Sequence, residues 1–125
     1  MTKRSVLWLI ALVTAALVLA STARASCVRT TAAEQRARAD VIFDGLALEG
    51  PTATGIQRFR VIRYLKRRGP GIVRVNTGTV RRADGSGMTT SVSLFAKRGE
   101  RWRIFARGSA REILQTTLCD GSRRR

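Results

Sequence analysis

The sequence predicts a small, mainly β domain, an antiparallel barrel or sandwich with one helix at its N-terminal end. Three observations carry that prediction. Four or five short runs of β-branched and aromatic residues recur between turns rich in Gly, Pro and polar residues. A charged start and an apolar run fill the first 25 residues and set them apart from the rest. Only two cysteines occur, Cys27 and Cys119, and they bracket nearly everything that remains.

The N-terminal segment has the parts of a secretory signal peptide, itself a helix. Lys3 and Arg4 form a positive n-region, and Val6–Ala20 supplies an apolar run of h-region length. Ala23-Arg24-Ala25 places small residues at −3 and −1, so cleavage is expected between Ala25 and Ser26. A membrane-spanning helix needs roughly 20 apolar residues. This run reaches that length only by counting Thr14, Ser21 and Thr22. Lipid attachment at Cys27 wants an aliphatic residue three positions earlier, where Arg24 stands. Cleavage therefore ranks above a retained anchor, and the anchor above lipidation. The expected organisation is a signal peptide over 1–25, one domain over 26–119 and a frayed basic tail over 120–125. The expected location is the periplasm or the exterior, with no membrane span after cleavage.

The charge balance is extreme. Twenty-four Lys and Arg face eight Asp and Glu, a formal +16, and loss of Lys3, Arg4 and Arg24 leaves +13. Such a surface attracts polyanions. Arg outnumbers Lys 21 to 3, and a GC-rich genome alone yields part of that excess. Solvated surface charge is the commoner explanation of a basic surplus. The partners to expect are an anionic cell-envelope polymer or lipid, or an acidic protein. Nucleic acid is disfavoured, because an exported protein meets little of it. Histidine is absent from the chain, which excludes Ser-His-Asp and Cys-His catalysis and removes the commonest metal ligand. Asp40, Asp44, Glu49, Asp84, Glu100, Glu112 and Asp120 are scattered, mostly at turns and caps. Neither an enzyme nor a cofactor or metal site is therefore expected.

Two cysteines in an oxidising compartment have one intramolecular pairing, Cys27–Cys119. In the chain-entropy view a loop of that length contributes roughly 4–5 kcal/mol, which a small core needs.

Along the chain, Thr31-Ala-Ala-Glu34 has the form of a capping box, and Ala32–Ala39 reads as a short helix. Val41–Leu48 reads as a strand, with Gly45 marking a bulge or close backbone approach. Residues Glu49–Gly55 form a turn-rich loop. Ile56–Lys66 is the clearest strand, because Phe59 and Val61 alternate with Arg58 and Arg60. That alternation slips at Ile62–Leu65, the mark of a bulge. Lys66–Gly71 is a basic turn, Ile72–Val75 a third strand, and residues 79–92 a polar hairpin or loop. In Arg101–Ala106, Trp102, Ile104 and Ala106 face one way and Arg101, Arg103 and Phe105 the other. Glu112–Cys119 reads as a final strand or short helix. The candidate polyanion-binding residues are Arg58, Arg60, Arg63, Lys66, Arg67 and Arg68, with Arg81 and Arg82 beside them.

The order of these pieces resembles a known family. It comprises the N-terminal cysteine, a short helix, Ala39-Asp-Val-Ile-Phe-Asp-Gly45 and Phe59-Arg-Val-Ile-Arg-Tyr-Leu-Lys66. Val73-Arg-Val-Asn-Thr-Gly78, Gly99-Glu-Arg-Trp-Arg-Ile-Phe-Ala106 and Thr116-Thr-Leu-Cys-Asp-Gly121 complete it. Together they resemble the netrin-like (NTR) domain, the OB-fold module of the tissue inhibitors of metalloproteinases and their bacterial relatives. The resemblance implies a five-stranded OB-fold-like Greek-key barrel with one or two short helices, and a Cys27–Cys119 pair. It also implies an alternative function, inhibition of a metalloproteinase through the N-terminal segment Ser26–Arg29. In those inhibitors the first cysteine of a Cys-x-Cys start ligates the protease zinc. Here Ala25 holds that position, Cys27 matches the second cysteine, and Ser86-Gly-Met-Thr-Thr lacks a further one. The favoured expectation is accordingly a non-enzymatic exported module with a basic surface.

Overall fold

A computed structural model describes residues 27–81 and 83–125. The expected signal peptide, its junction at Ala25 and Ser26, and Arg82 lie outside the described residues.

Helix α1 spans Ala32–Arg38. The strands are β1 (Val41–Ala47), β2 (Ile56–Lys66), β3 (Ile72–Asn76), β4 (Val80–Arg81) and β5 (Gly87–Met88), then β6 (Arg101–Ala106), β7 (Ile113–Gln115) and β8 (Arg123–Arg124). A 3₁₀ turn, Leu118–Asp120, separates β7 from β8. Six strands form one sheet in the order β7-β3-β2-β1-β6-β8, while β4 and β5 pair as a separate hairpin. The sheet curls into a half-barrel. It is mixed rather than antiparallel, because β3 and β7 run parallel. The cause is the chain path. Strands β2 and β6 both run opposite to β1, and the reversal after β6 returns β7 in the direction of β3. Paired bonds between Arg107 and Gln115, 2.9 and 3.0 Å, tie the end of β6 to β7.

Helix α1 starts as its sequence dictates. The Thr31 hydroxyl accepts from the Glu34 amide at 3.2 Å, and the Glu34 carboxylate accepts from the Thr31 amide at 3.0 Å. None of the residues of α1 is buried, so packing does not hold it. Instead the Lys66 ammonium donates to the carbonyls of Arg36 and Ala39, at 2.8 and 2.5 Å. A cation on the last carbonyls of a helix satisfies orphan acceptors and opposes the negative dipole end.

Strand β1 is central, and Val41, Ile42 and Phe43 are all buried. Its two faces meet different neighbours. Val41, Phe43 and Ala47 enter the main core with Phe59, Val73, Val75, Ile104 and Leu114. Ile42 faces outward, beneath α1, with Ala39 and Phe105. The anticipated bulge is in fact two. Ile42 to Ala47 of β1 pair with Lys66 to Phe59 of β2, and Leu65 and Ile62 have no opposite residue. Each extra residue bends β2 and increases the local twist. Gly45 allows this approach: a Cβ there would lie 2.8 Å from the Phe43 ring and 3.3 Å from the Arg60 carbonyl.

Residues 92–96 form no strand, yet Leu94 and Ala96 are fully buried. Gln57, on the inner face of β2, holds this segment. Its amide donates to the Ala96 carbonyl at 2.8 Å and to the Glu49 carbonyl at 3.1 Å. The Leu94 amide donates to Thr77 at 2.8 Å. The expected polar stretch 79–92 carries the short β4–β5 hairpin.

The C-terminal segment is not a frayed tail. Strand β8 pairs with β6, Arg103 opposite Arg123, and Ser122 is buried. The Ser122 hydroxyl accepts from the Phe105 amide at 2.9 Å and lies 2.7 Å from the Thr116 hydroxyl. A buried hydroxyl so satisfied anchors the chain where sequence composition suggests only a basic end.

Cys27 and Cys119 form the disulfide, with Cα atoms 5.1 Å apart across 92 positions of sequence. A disulfide fits an extracellular or periplasmic location. Among the described residues no helix is long and apolar enough to cross a membrane. Replacing both cysteines by Ser should lower unfolding stability by about 4 kcal/mol. Urea unfolding of the two proteins under one buffer checks this, and equal midpoints would show that the bond only decorates the fold.

Candidate polyanion-binding face

The outer face of the half-barrel is built from side chains that alternate away from the core. In register they are Arg58 with Arg74 and Arg60 with Ile72 on β2 and β3. Leu46 lies between Arg60 and Arg101, and Asp44 between Arg63 and Arg103. Arg58, Arg60, Arg63, Arg74 and Arg101 are exposed and Arg103 is half-buried. Within this field two acids, Asp44 and Glu49, do the pairing.

Asp44 is a clamp across three strands. Arg103 donates to it twice, Nε to Oδ1 at 2.8 Å and Nη2 to Oδ2 at 2.9 Å. Arg63 adds Nε to Oδ2 at 3.0 Å. The side chains of Asp44 and Arg103 are each 13% exposed, so the bidentate pair is shielded from solvent, and such pairs are the strong ones. Hydrogen bonds from Arg103 do most to lower the carboxyl pKa. Partial burial opposes them, Arg63 assists, and the result is about 2. Arg103 is in turn held charged above its ordinary value by the Asp44 hydrogen bonds.

Glu49 serves Arg58 in the same way. Its Oε1 accepts from the Arg58 amide at 3.1 Å and from Nε at 3.2 Å, and its Oε2 from Nη2 at 3.1 Å. The Arg58 bonds hold the Glu49 carboxyl below its usual range. This pairing offsets the direct opposition of Arg58 and Arg74, since like charges facing across strands repel.

Of the eight sequence-predicted residues, the seven that are described therefore divide. Arg58 and Arg63 are on the face, but Glu49 already engages the first and Asp44 the second. Arg60 is on the face and bonds no carboxylate among the described residues. Lys66 spends its ammonium on α1. Arg67 and Arg68 are exposed in the turn after β2, Arg67 with a left-handed φ of 61°. Arg81 contributes its backbone to β4, on a hairpin separate from the main sheet. Three members of the face were not among the candidates: Arg74, Arg101 and Arg103. Their signal is alternation with Val73, Val75, Trp102 and Ile104, the same period-two rule that selects Arg58 and Arg60.

Among the described residues no three His, Cys, Asp or Glu side chains gather as a metal site would require. Comparison with protein-family models, curated proteins and solved structures finds no match to this chain.

The Asp44 clamp makes a signed prediction. Its folded pKa, about 2, lies below the ordinary aspartate value of 3.8. The stabilisation is therefore complete above pH 4 and is lost as pH falls toward 2. Asp44→Asn should lower stability at pH 7 by about 2 kcal/mol. The gap between variant and parent should close as pH falls from 4 to 2. Urea midpoints at pH 7, 4 and 2.5 check it, and a gap independent of pH would show that the carboxylate charge is irrelevant.

Proposed function

We propose that this chain is a non-enzymatic exported β-barrel module whose outer arginine face binds an anionic component of the cell envelope. The observation that carries this is the surplus on one curved surface. Six arginines of β2, β3 and β6 surround two carboxylates, each already engaged by guanidinium groups. Clustered cations on a rigid sheet raise the local concentration of anions and give binding that weakens with salt. The disulfide supports an extracytoplasmic setting for that encounter.

The netrin-like, OB-fold-like architecture is part of the same proposal. Strands β1, β2, β3, β6 and β7 supply the five strands such a barrel needs, and the Arg107–Gln115 bridge supports its partial closure. The cysteine bracket supports it as well.

The test is binding to lipopolysaccharide and to anionic vesicles across a salt series. Affinity should fall steadily with rising salt. The double variant Arg60→Glu, Arg74→Glu should bind about 10-fold or more weakly, with a shallower salt dependence. Absence of any salt-sensitive binding would refute the proposal.

A further inference from the structure

Between α1 and the sheet lies a cleft of about 520 Å³, within the roughly 300–1,000 Å³ typical of small-molecule sites. Its floor is apolar: Ile42 of β1, Leu65 of β2 and Phe105 of β6. Ala32 and Ala37 line the wall formed by α1. Leu65 is 45% exposed although it stands at the edge of this apolar floor. It is one of the two bulge residues, so the register of β2 aims a leucine away from the core. An exposed leucine beside two buried apolar side chains is surface that a ligand can cover.

The rim is cationic. Lys66 and Arg103 line it, the first bonded to carbonyls and the second to Asp44. Arg36 and Arg123 line it too, and among the described residues neither forms an ion pair. The Arg123 guanidinium sits over the Phe105 ring, 5.5 Å from its centre, which places a positive charge directly at the edge of the apolar floor. Among the described residues no carboxylate lines the cleft, and the Arg123 guanidinium donates only to the Gly121 carbonyl. A neutral apolar ligand would therefore leave Arg36 and Arg123 without an anionic partner, and a bare anion would leave Leu65 uncovered.

We infer that this cleft binds a single-chain anionic amphiphile, with its hydrocarbon tail along Ile42, Leu65 and Phe105 and its carboxylate or phosphate head against Arg36 and Arg123. This site meets the proposed polyanion face only at Arg103, whose guanidinium is already bound to Asp44. The tail contacts need Leu65, whereas binding on the face needs Arg60 and Arg74.

Titration calorimetry of the isolated full chain with C12 probes below their micellar concentrations tests the inference. Dodecyl phosphate or dodecanoate should bind once per chain, about 10-fold or more tightly than dodecanol or dodecyltrimethylammonium. The tighter of the two anions identifies the head group. Leu65→Asn, at a half-exposed position, should weaken that binding about 10-fold and leave the binding of inorganic polyphosphate unchanged. Arg60→Glu, Arg74→Glu should do the reverse. Amide shifts at Ala32, Ala37, Leu65 and Phe105 should move with the anionic probe, which places it in the cleft without recourse to a variant. Equal binding of anionic and cationic probes, binding indifferent to Leu65→Asn, or shifts confined to the arginine face would each overturn the inference. So would a dimer, seen by sedimentation, that shields these amides from the probe.

Discussion

The mismatch between β1 and β2 governs the rest of the molecule. Between Ala47–Phe59 at one end and Ile42–Lys66 at the other, β2 uses two more residues than β1. Two bulges in one strand pair coil the sheet strongly, which lets a sheet of short strands wrap a core of Phe43, Phe59, Ile104 and Leu114. The same excess decides what faces out. Between the bulges Tyr64 returns to the inner side against Phe43, their ring centres 6.1 Å apart. Leu65 turns to the outside, and Lys66 arrives under the C-terminal end of α1. Loss of one bulge residue alone would break this sequence of placements, since a single-residue slip exchanges the two faces of a strand.

Charge follows from that geometry. Alternation puts arginines on the outside of three strands, and pairing brings several of them opposite one another. Left alone, that surface would repel itself. Asp44 sits between Arg63 and Arg103, and Glu49 pairs with Arg58 where it opposes Arg74. Asp44, flanked by Arg63 and Arg103 in register, joins β2, β1 and β6 in one ionic cluster. A cluster fixes one carboxylate for two partners, so it orders fewer side chains per bond than separate pairs do. Because few acids are available, the outer face is stabilised without being neutralised.

Much of this was legible in the residues. The capping box at Thr31 and Glu34, the β2 alternation, the slip at Ile62–Leu65, the special position of Gly45 and the facing of Trp102, Ile104 and Ala106 are local patterns, and local patterns survive folding. The cysteine pair was legible because two cysteines have one intramolecular partner choice. What was hidden depends on tertiary partners. Leu94 and Ala96 enter the core on a segment without strand periodicity, because Gln57 supplies bonds from a position that would ordinarily be apolar. Ser122 and β8 are ordered through Phe105 and Thr116, seventeen and six positions away. The parallel β3–β7 pair arises from chain direction, which composition does not encode. The face was half legible: alternation selects Arg58 and Arg60, but the acid partners that separate paired from unpaired arginines come from other strands.

Helix α1 connects these themes. A seven-residue helix with none of its residues buried is too short to persist on its own. Here a capping box holds its start, Lys66 its end, and the disulfide at Cys27 the chain leading into it. Two of these three tethers are polar and the third is covalent, so none requires apolar packing beneath the helix. That arrangement keeps α1 over the sheet while leaving Leu65 half-exposed below it. A helix held by packing would have closed the space; one held at its ends leaves the space open, lined with the charges that the end contacts bring.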